Sequence, residues 1–112
     1  MKQYSEVSAA EAIALTVGGT MLLDVREQDE WDRGHSPAAT LVPMSKLPEG
    51  LEDVPTDKRV LVICHAGSRS VRVSNALLDA GYEPVNVVGG MLAWTAAGGE
   101  IVADGTDAPR VD

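Results

Sequence analysis

Cysteine is nearly absent from this sequence: Cys64 is the single cysteine among 112 residues. One cysteine excludes an internal disulfide and a zinc site built from several cysteines. The two histidines show no ligand-like spacing relative to Cys64, so we expect no metal site. Cys64 is therefore either a small buried apolar side chain or a reactive thiol.

Basic residues are scarce as well. Nine lysines and arginines against seventeen acidic residues give a net charge of -8. Nucleic-acid binding depends on clustered basic side chains that neutralise phosphates, and the sequence has no such cluster. The acidity is typical of a solvated surface that keeps a protein soluble, with a charge-complementary protein partner as the alternative.

Long apolar runs are also missing. Nothing approaches the stretch of about 18 apolar residues that a membrane-spanning helix requires. The first six residues lack the apolar core of a signal peptide, so we expect no membrane partner and a cytoplasmic location. Phenylalanine is absent too, and the core must consist of aliphatic side chains with Trp31 and Trp94 as its largest members.

What the sequence does contain is an alternation of short helical and extended segments. A capping box of Ser8 and Glu11 begins the first predicted helix, and the helical patterns cover residues 8–15, 27–32, 70–80 and 91–97. Strands are predicted at residues 21–25, 41–42, 59–63 and 85–88, and a surface loop around a short helix at 48–58. This alternation indicates an α/β domain with a mainly parallel sheet. We expect one domain over residues 1–103 and a flexible tail over 104–112.

Cys64 directly follows the strongest predicted strand and precedes a helix. Sites in parallel sheets form beyond the carboxyl ends of strands. The unpaired N–H groups of the helix start, the conformational freedom of Gly67 and the charge of Arg69 would together favour an anion or a charged sulfur at Cys64. Cys64 is the candidate nucleophile, and the candidate residues for binding substrate or persulfide are His65, Ala66, Gly67, Ser68, Arg69 and Ser70.

The two histidines allow more than one interpretation. His65 could act as a base for Cys64. Adjacent residues of a curled loop point in different directions, however, which favours a substrate-facing or surface role for His65. His35, which follows Gly34, is predicted to be a structural, hydrogen-bonding histidine and not a metal ligand.

Four blocks of the sequence resemble the rhodanese homology domain. They are Asp24-Val25-Arg26 with Glu30-Trp31, Gly34-His35-Ser36-Pro37, Cys64-x-x-Gly67-x-Arg69-Ser70 and Gly89-Gly90-Met91-Leu92-Ala93-Trp94. Together they extend the resemblance over residues 4–98. The sequence departs from the family pattern at Ser36, at Ala38 and at 41–43. These departures lie away from the cysteine loop and concern local packing.

The resemblance implies a rhodanese-like α/β fold with a five-stranded, mainly parallel sheet flanked by helices on both faces. It also implies that Asp24, Arg26 and Glu30 are scaffold residues, a charged trio that tolerates burial only when its members pair with one another. The implied chemistry is sulfur transfer without metal or organic cofactor. Cys64 takes the outer sulfur of thiosulfate or another small anionic donor, which Arg69 holds, and passes it from a persulfide to cyanide, a thiol or a protein acceptor.

Two alternatives stay open. A phosphatase or arsenate reductase on the related scaffold has five residues between its cysteine and arginine, whereas four separate Cys64 from Arg69, so the smaller loop argues against phosphate. A non-catalytic partner-binding or sulfur-delivery module would keep an intact loop and is compatible with the acidic surface. No second cysteine can resolve a persulfide, so the acceptor must come from outside the chain.

Overall fold

The architecture is a parallel sheet between helices, seen in a computed structural model that describes residues 3–111. The strands are β1 (Ser5–Val7), β2 (Met21–Asp24), β3 (Ala39–Leu41), β4 (Arg59–Ile63) and β5 (Glu83–Val87). The helices are α1 (Ala9–Val17), α2 (Gln28–Arg33), α3 (Ser68–Asp79) and α4 (Gly90–Ala96), with a 3-10 turn at Met44–Lys46. The sheet order is β1-β5-β4-β2-β3, and every neighbouring pair is parallel.

Alternate residues of the central strands divide the core into two layers. Leu61 and Ile63 of β4 join the layer that Met91 and Trp94 of α4 cover together with α1. The intervening β4 residues join the second layer, which α3 covers. Because successive side chains of a strand point to opposite faces, the continuous apolar run of β4 fits burial on both sides. The predicted α/β class and the helices on both faces are confirmed.

Several boundaries differ from the predictions. α1 starts at the predicted capping box but continues to Val17. β1 was not predicted from local pattern, because Ser5–Val7 is short and partly exposed and forms a strand only through pairing with β5. α3 begins at Ser68, two residues earlier than predicted. The prediction of a short helix within 48–58 is also wrong, because that described stretch contains only turns and bends. Its prolines disfavour helix.

The segment after α4 lies against the rest of the domain. The N–H of Asp104 donates to the carbonyl of Asp32 at 3.2 Å, and the N–H of Arg110 donates to the carbonyl of Arg33 at 2.9 Å. Val111 is half-buried against the layer that contains Trp94. The flexibility predicted for residues 104–112 stays a prediction. The sequence of this segment has no periodicity and did not indicate these contacts.

The helices are short throughout the described part of the chain. Across residues 3–111, none has the combined length and apolar character that crossing a bilayer requires.

Candidate active site

The Cys64 side chain lies at the carboxyl end of the central strand of the sheet. β4 is paired with β2 on one side and β5 on the other, so the loop that follows it is flanked by the ends of both neighbours. Cys64 is only 1% exposed and packs in the same layer as Val73 and Leu77 of α3. The position is the one expected for a ligand site in a parallel sheet.

Within residues 3–111, two hydrogen bonds involve the Cys64 sulfur. The N–H of Gly67 donates to Sγ at 3.1 Å, and the thiol donates to Ser70 Oγ at 3.3 Å. The Ser70 hydroxyl in turn donates to the carbonyl of Gly67 at 3.2 Å. Gly67 has a φ of 118°, a left-handed conformation that favours glycine. Gly67 and Ser70 are therefore the binding candidates that the fold brings to Cys64.

The start of α4 supports the loop from behind. The N–H of Met91 donates to the carbonyl of Cys64 at 2.7 Å, and the N–H of Leu92 donates to the carbonyl of His65 at 3.1 Å. A Cβ on Gly90 would lie 2.4 Å from the Cys64 carbonyl oxygen, a separation that no side chain tolerates. The predictions gave Gly90 no role at the site, and the paired glycines before the last helix were the available signal.

Arg69 does not point freely into the cysteine loop. Its guanidinium donates to both carboxylate oxygens of Glu30, with 2.8 Å between Nη2 and Oε2. The Arg69 hydrogen bond and, secondarily, the N–H of Glu27 lower the pKa of Glu30 to about 2 against the opposing effect of burial. Glu30 in turn raises the pKa of Arg69. The predicted donor-binding arginine is thus already paired with a carboxylate.

The expected charged trio is instead divided between two pairs. Asp24 and Arg26 are fully buried and paired at 2.7 Å, and the same Nη2 of Arg26 donates to the carbonyl of Gly34 at 2.7 Å. Glu30 pairs with Arg69 and not with Arg26, whose Nη1 reaches only the backbone carbonyl of Glu30 at 3.5 Å. The prediction of one mutually paired trio was wrong, because the partner of Glu30 comes from a helix distant in sequence.

The two histidines occupy different settings. His35 is buried, its ring stacks on Trp31 with centroids 3.7 Å apart, and Nδ1 donates to the Trp31 carbonyl at 2.7 Å. These contacts fit the structural role predicted for it. His65 is half-buried, and its Nδ1 has no hydrogen-bond partner within residues 3–111. No bond links its ring to the Cys64 sulfur, so the geometry offers no Cys–His pair.

The remaining loop candidates make no hydrogen bond to the sulfur. Ala66 and Ser68 are exposed, and the hydrogen bonds of the described chain give neither of them a bond to Sγ. Among residues 3–111 there is also no group of three or more His, Cys, Asp or Glu side chains placed to bind a metal ion. The loop therefore presents one sulfur with one backbone donor and one hydroxyl.

Comparison with known proteins gives this site a family. Residues 8–97 match the family described as the rhodanese-like domain. This chain belongs to the rhodanese-like domain family. Thiosulfate sulfurtransferase 18 of Arabidopsis thaliana is 41% identical over an alignment of 109 positions, and the match covers 83% of this chain and 79% of that protein. A sulfurtransferase of Allochromatium vinosum is 36% identical over 84 residues, 74% of this chain and 78% of its own length.

Solved rhodanese structures share the fold. A rhodanese-related protein from Thermoplasma volcanium superposes with a TM-score of 0.79 at 31% identity, covering 88% of this chain and 98% of that one. A rhodanese-like domain protein from Staphylococcus aureus gives a TM-score of 0.75 at 27% identity, covering 95% and 99%. The resemblance found in four sequence blocks is confirmed over most of this rhodanese-like domain, which is related to sulfurtransferases.

Proposed function

We propose that this rhodanese-like domain transfers sulfane sulfur from thiosulfate, or a similarly small anionic donor, to an external thiophilic acceptor through a persulfide on Cys64. The observation that carries the proposal is the pair of hydrogen bonds at Sγ, from the N–H of Gly67 and to the hydroxyl of Ser70. A buried thiolate or persulfide needs hydrogen-bond donors, because desolvation disfavours its charge. The N–H of Gly67 already donates, and the Ser70 hydroxyl accepts from the thiol but can donate after rotation.

The loading step exchanges one sulfur–sulfur bond for another. The Cys64 thiol first gives its proton to solvent, and its thiolate attacks the outer sulfur of thiosulfate. A bond forms between Sγ and that sulfur, the bond to the central sulfur breaks, and sulfite leaves with the bonding electron pair. The Ser70 hydroxyl, which accepts from the thiol in the structure, can rotate to donate to the charged sulfur.

The unloading step regenerates the thiolate. Cyanide or an external thiolate attacks the outer sulfur of the persulfide and forms a bond to it. The bond between Sγ and the outer sulfur breaks, and Sγ keeps the electron pair. The product is thiocyanate from cyanide, or a new persulfide from the thiolate. The acceptor is external because Cys64 is the only cysteine. Since Cys64 is 1% exposed, the site favours small donors and acceptors, and a protein acceptor must present a slender nucleophilic group.

Mass spectrometry of the purified protein before and after thiosulfate treatment tests this function. We expect Cys64 to gain the mass of one sulfur atom, to lose it on addition of cyanide, and to turn over continuously when both are present. Cys64→Ser should do none of these. A wild-type protein that never gains sulfur from thiosulfate or a related donor contradicts the proposal, and hydrolysis of an aryl phosphate by the same sample would favour the phosphatase alternative.

A further inference from the structure

The only arginine of the cysteine loop is engaged by a carboxylate from another helix. Arg69 donates from both terminal nitrogens to Glu30, and the two side chains are 26% and 17% exposed. The N–H of Glu27 also donates to the Glu30 carboxylate at 3.2 Å, so Glu30 is fixed by its own helix start as well as by Arg69. The pair is a bidentate one, the geometry in which arginine binds carboxylate most strongly.

Arg69, which belongs to the cysteine loop, also interacts electrostatically with Cys64. After the Glu30 hydrogen bond, burial and the Glu30 charge, the nearby Cys64 is among the groups that act on the pKa of Arg69. A pKa of about 2 keeps Glu30 charged at every pH at which a thiolate works. Arg69 is the cation of residues 64–70 that was expected to attract an anionic donor. Its charge is therefore balanced by the negative charge of Glu30 at hydrogen-bond distance.

We propose that Glu30 is a positioning residue that sets the charge selectivity of the donor site. By pairing with Arg69 it keeps the mouth of the cysteine loop close to neutral, so that a dianionic donor gains little over a monoanionic one. This inference rests on the proposed function, and it concerns which small donors the site prefers. Glu30 acts through Arg69 and does not itself contact the donor.

A matched pair of donors measures this property. Thiosulfate is a dianion, and methanethiosulfonate is a monoanion that keeps the same sulfur–sulfur bond but replaces one charged oxygen by a methyl group. The readout is the second-order rate constant for loading Cys64, followed by quenched mass spectrometry at fixed ionic strength. The donor ratio is the rate constant for thiosulfate divided by that for methanethiosulfonate. It cancels effects on folding and on the reactivity of Cys64 that both donors share.

Glu30→Gln should raise both loading rates, but unequally. Interaction energy with the uncovered Arg69 doubles from monoanion to dianion, so we expect about threefold for methanethiosulfonate and about tenfold for thiosulfate. Added salt should reduce this gain. Glu30→Asp retains the charge and should keep the wild-type ratio, and Arg69→Gln, which leaves Glu30 without its cation, should lower the ratio.

Two further variants separate the pair from a general charge effect. Asp29→Asn removes a negative charge from the neighbouring position on α2, where Asp29 faces Arg33 at 3.6 Å on the surface, and should leave the donor ratio unchanged. The double variant Glu30→Gln with Arg69→Gln restores neutrality and should return the ratio to that of the wild type. A fixed packing role for Glu30 predicts no such recovery.

The outcomes are distinguishable from those of the proposed function. A wild type that loads from neither donor overturns both. A wild type that loads normally, while Glu30→Gln leaves the ratio unchanged or Asp29→Asn shifts it equally, overturns the selectivity role alone. If Glu30→Gln does not fold, Arg69→Gln is compared with the wild type instead. An unchanged donor ratio in Arg69→Gln also overturns the selectivity role of Glu30.

Discussion

The sulfur of Cys64 depends on two partners of different kinds. The N–H of Gly67 is fixed by a left-handed backbone that the glycine permits, whereas the Ser70 hydroxyl can rotate between accepting and donating. The same hydroxyl also donates to the Gly67 carbonyl. Ser70 therefore stabilises the loop around the Cys64 thiol, and its hydroxyl could donate to the charged sulfur that the proposed function requires.

Ser70→Ala tests this double role, with Ser74→Ala as the matched control. Both serines are buried on α3, but the Ser74 hydroxyl has no hydrogen-bond partner within the described chain. We expect Ser70→Ala to reduce the free energy of unfolding by about 1 kcal/mol and the Cys64 loading rate by about tenfold. Ser74→Ala should be neutral or stabilising in urea unfolding and should load normally, and equal effects of the two variants would contradict the assigned role.

At the scale of elements, the cysteine loop is held from two directions. α2 is tied to the first turn of α3 by the Glu30–Arg69 pair, and the first turn of α4 donates to the carbonyls of Cys64 and His65. A loop fixed at both sides keeps its sulfur in one geometry, which is the requirement for positioning a reacting atom.

The tie between α2 and α3 predicts an acid-dependent stability. Glu30 has a pKa of about 2 in the folded chain against 4.5 ordinarily, so its stabilisation is present above about pH 4.5 and is lost as pH falls toward about 2. Between those limits the wild type should lose about 1 kcal/mol more of its free energy of unfolding than Glu30→Gln, because the pair is partly solvated. Asp29→Asn should follow the wild-type slope, and parallel curves for wild type and Glu30→Gln would refute this assignment.

The contact between α4 and the loop predicts different costs for two glycine substitutions. Gly90 and Gly98 both have positive φ, but only a Cβ at Gly90 meets the carbonyls of Cys64 and His65, while Gly98 has open space. Gly98→Ala should reduce the free energy of unfolding by about 1 kcal/mol through backbone strain alone. Gly90→Ala should cost about 2–4 kcal/mol and slow sulfur loading. Equal unfolding midpoints would show that the close approach is unimportant.

At the scale of the whole molecule, the chain order of the sheet determines which residues meet. β4 lies at the centre, and the loop after it meets α2 through the Glu30–Arg69 pair and α4 through Met91 and Leu92, although these helices are far apart in sequence. The segment after α4 returns to α2 through the Arg110 and Asp104 hydrogen bonds and places Val111 against the core. These contacts lie beyond residues 8–97, which carry the family match.

Truncation after Ala103 tests whether this returning segment contributes to stability. We expect the free energy of unfolding in urea to fall by about 1 kcal/mol, because two backbone hydrogen bonds and a half-buried valine are removed. Sulfur loading should change little.

A Cβ on Gly34 would lie 2.2 Å from the Arg110 carbonyl oxygen. Gly34→Ala should therefore destabilise the full chain by about 2 kcal/mol and the truncated chain much less. Equal effects in both would mean that the segment is as flexible as its sequence predicts.

Local sequence determined the parts of this protein that rest on short-range physics. The capping box at Ser8, the apolar run of β4, the glycine at 67 and the single cysteine predicted α1, the central strand and the position of the sulfur, because each depends on a few adjacent residues. The four ordered blocks added the family. Local sequence did not predict β1, because this short polar strand forms only through its pairing with β5.

Only the tertiary structure decided which charges and carbonyls meet. Arg69 looked like a free cation for the donor, yet Glu30, which lies 39 positions earlier, occupies it. Gly90 matters because two loop carbonyls approach it, which no local pattern records. Long-range pairing depends on the order of strands and the placement of helices over them. The sequence alone therefore placed the candidate cysteine, and the folded chain determined the electrostatic setting around its sulfur.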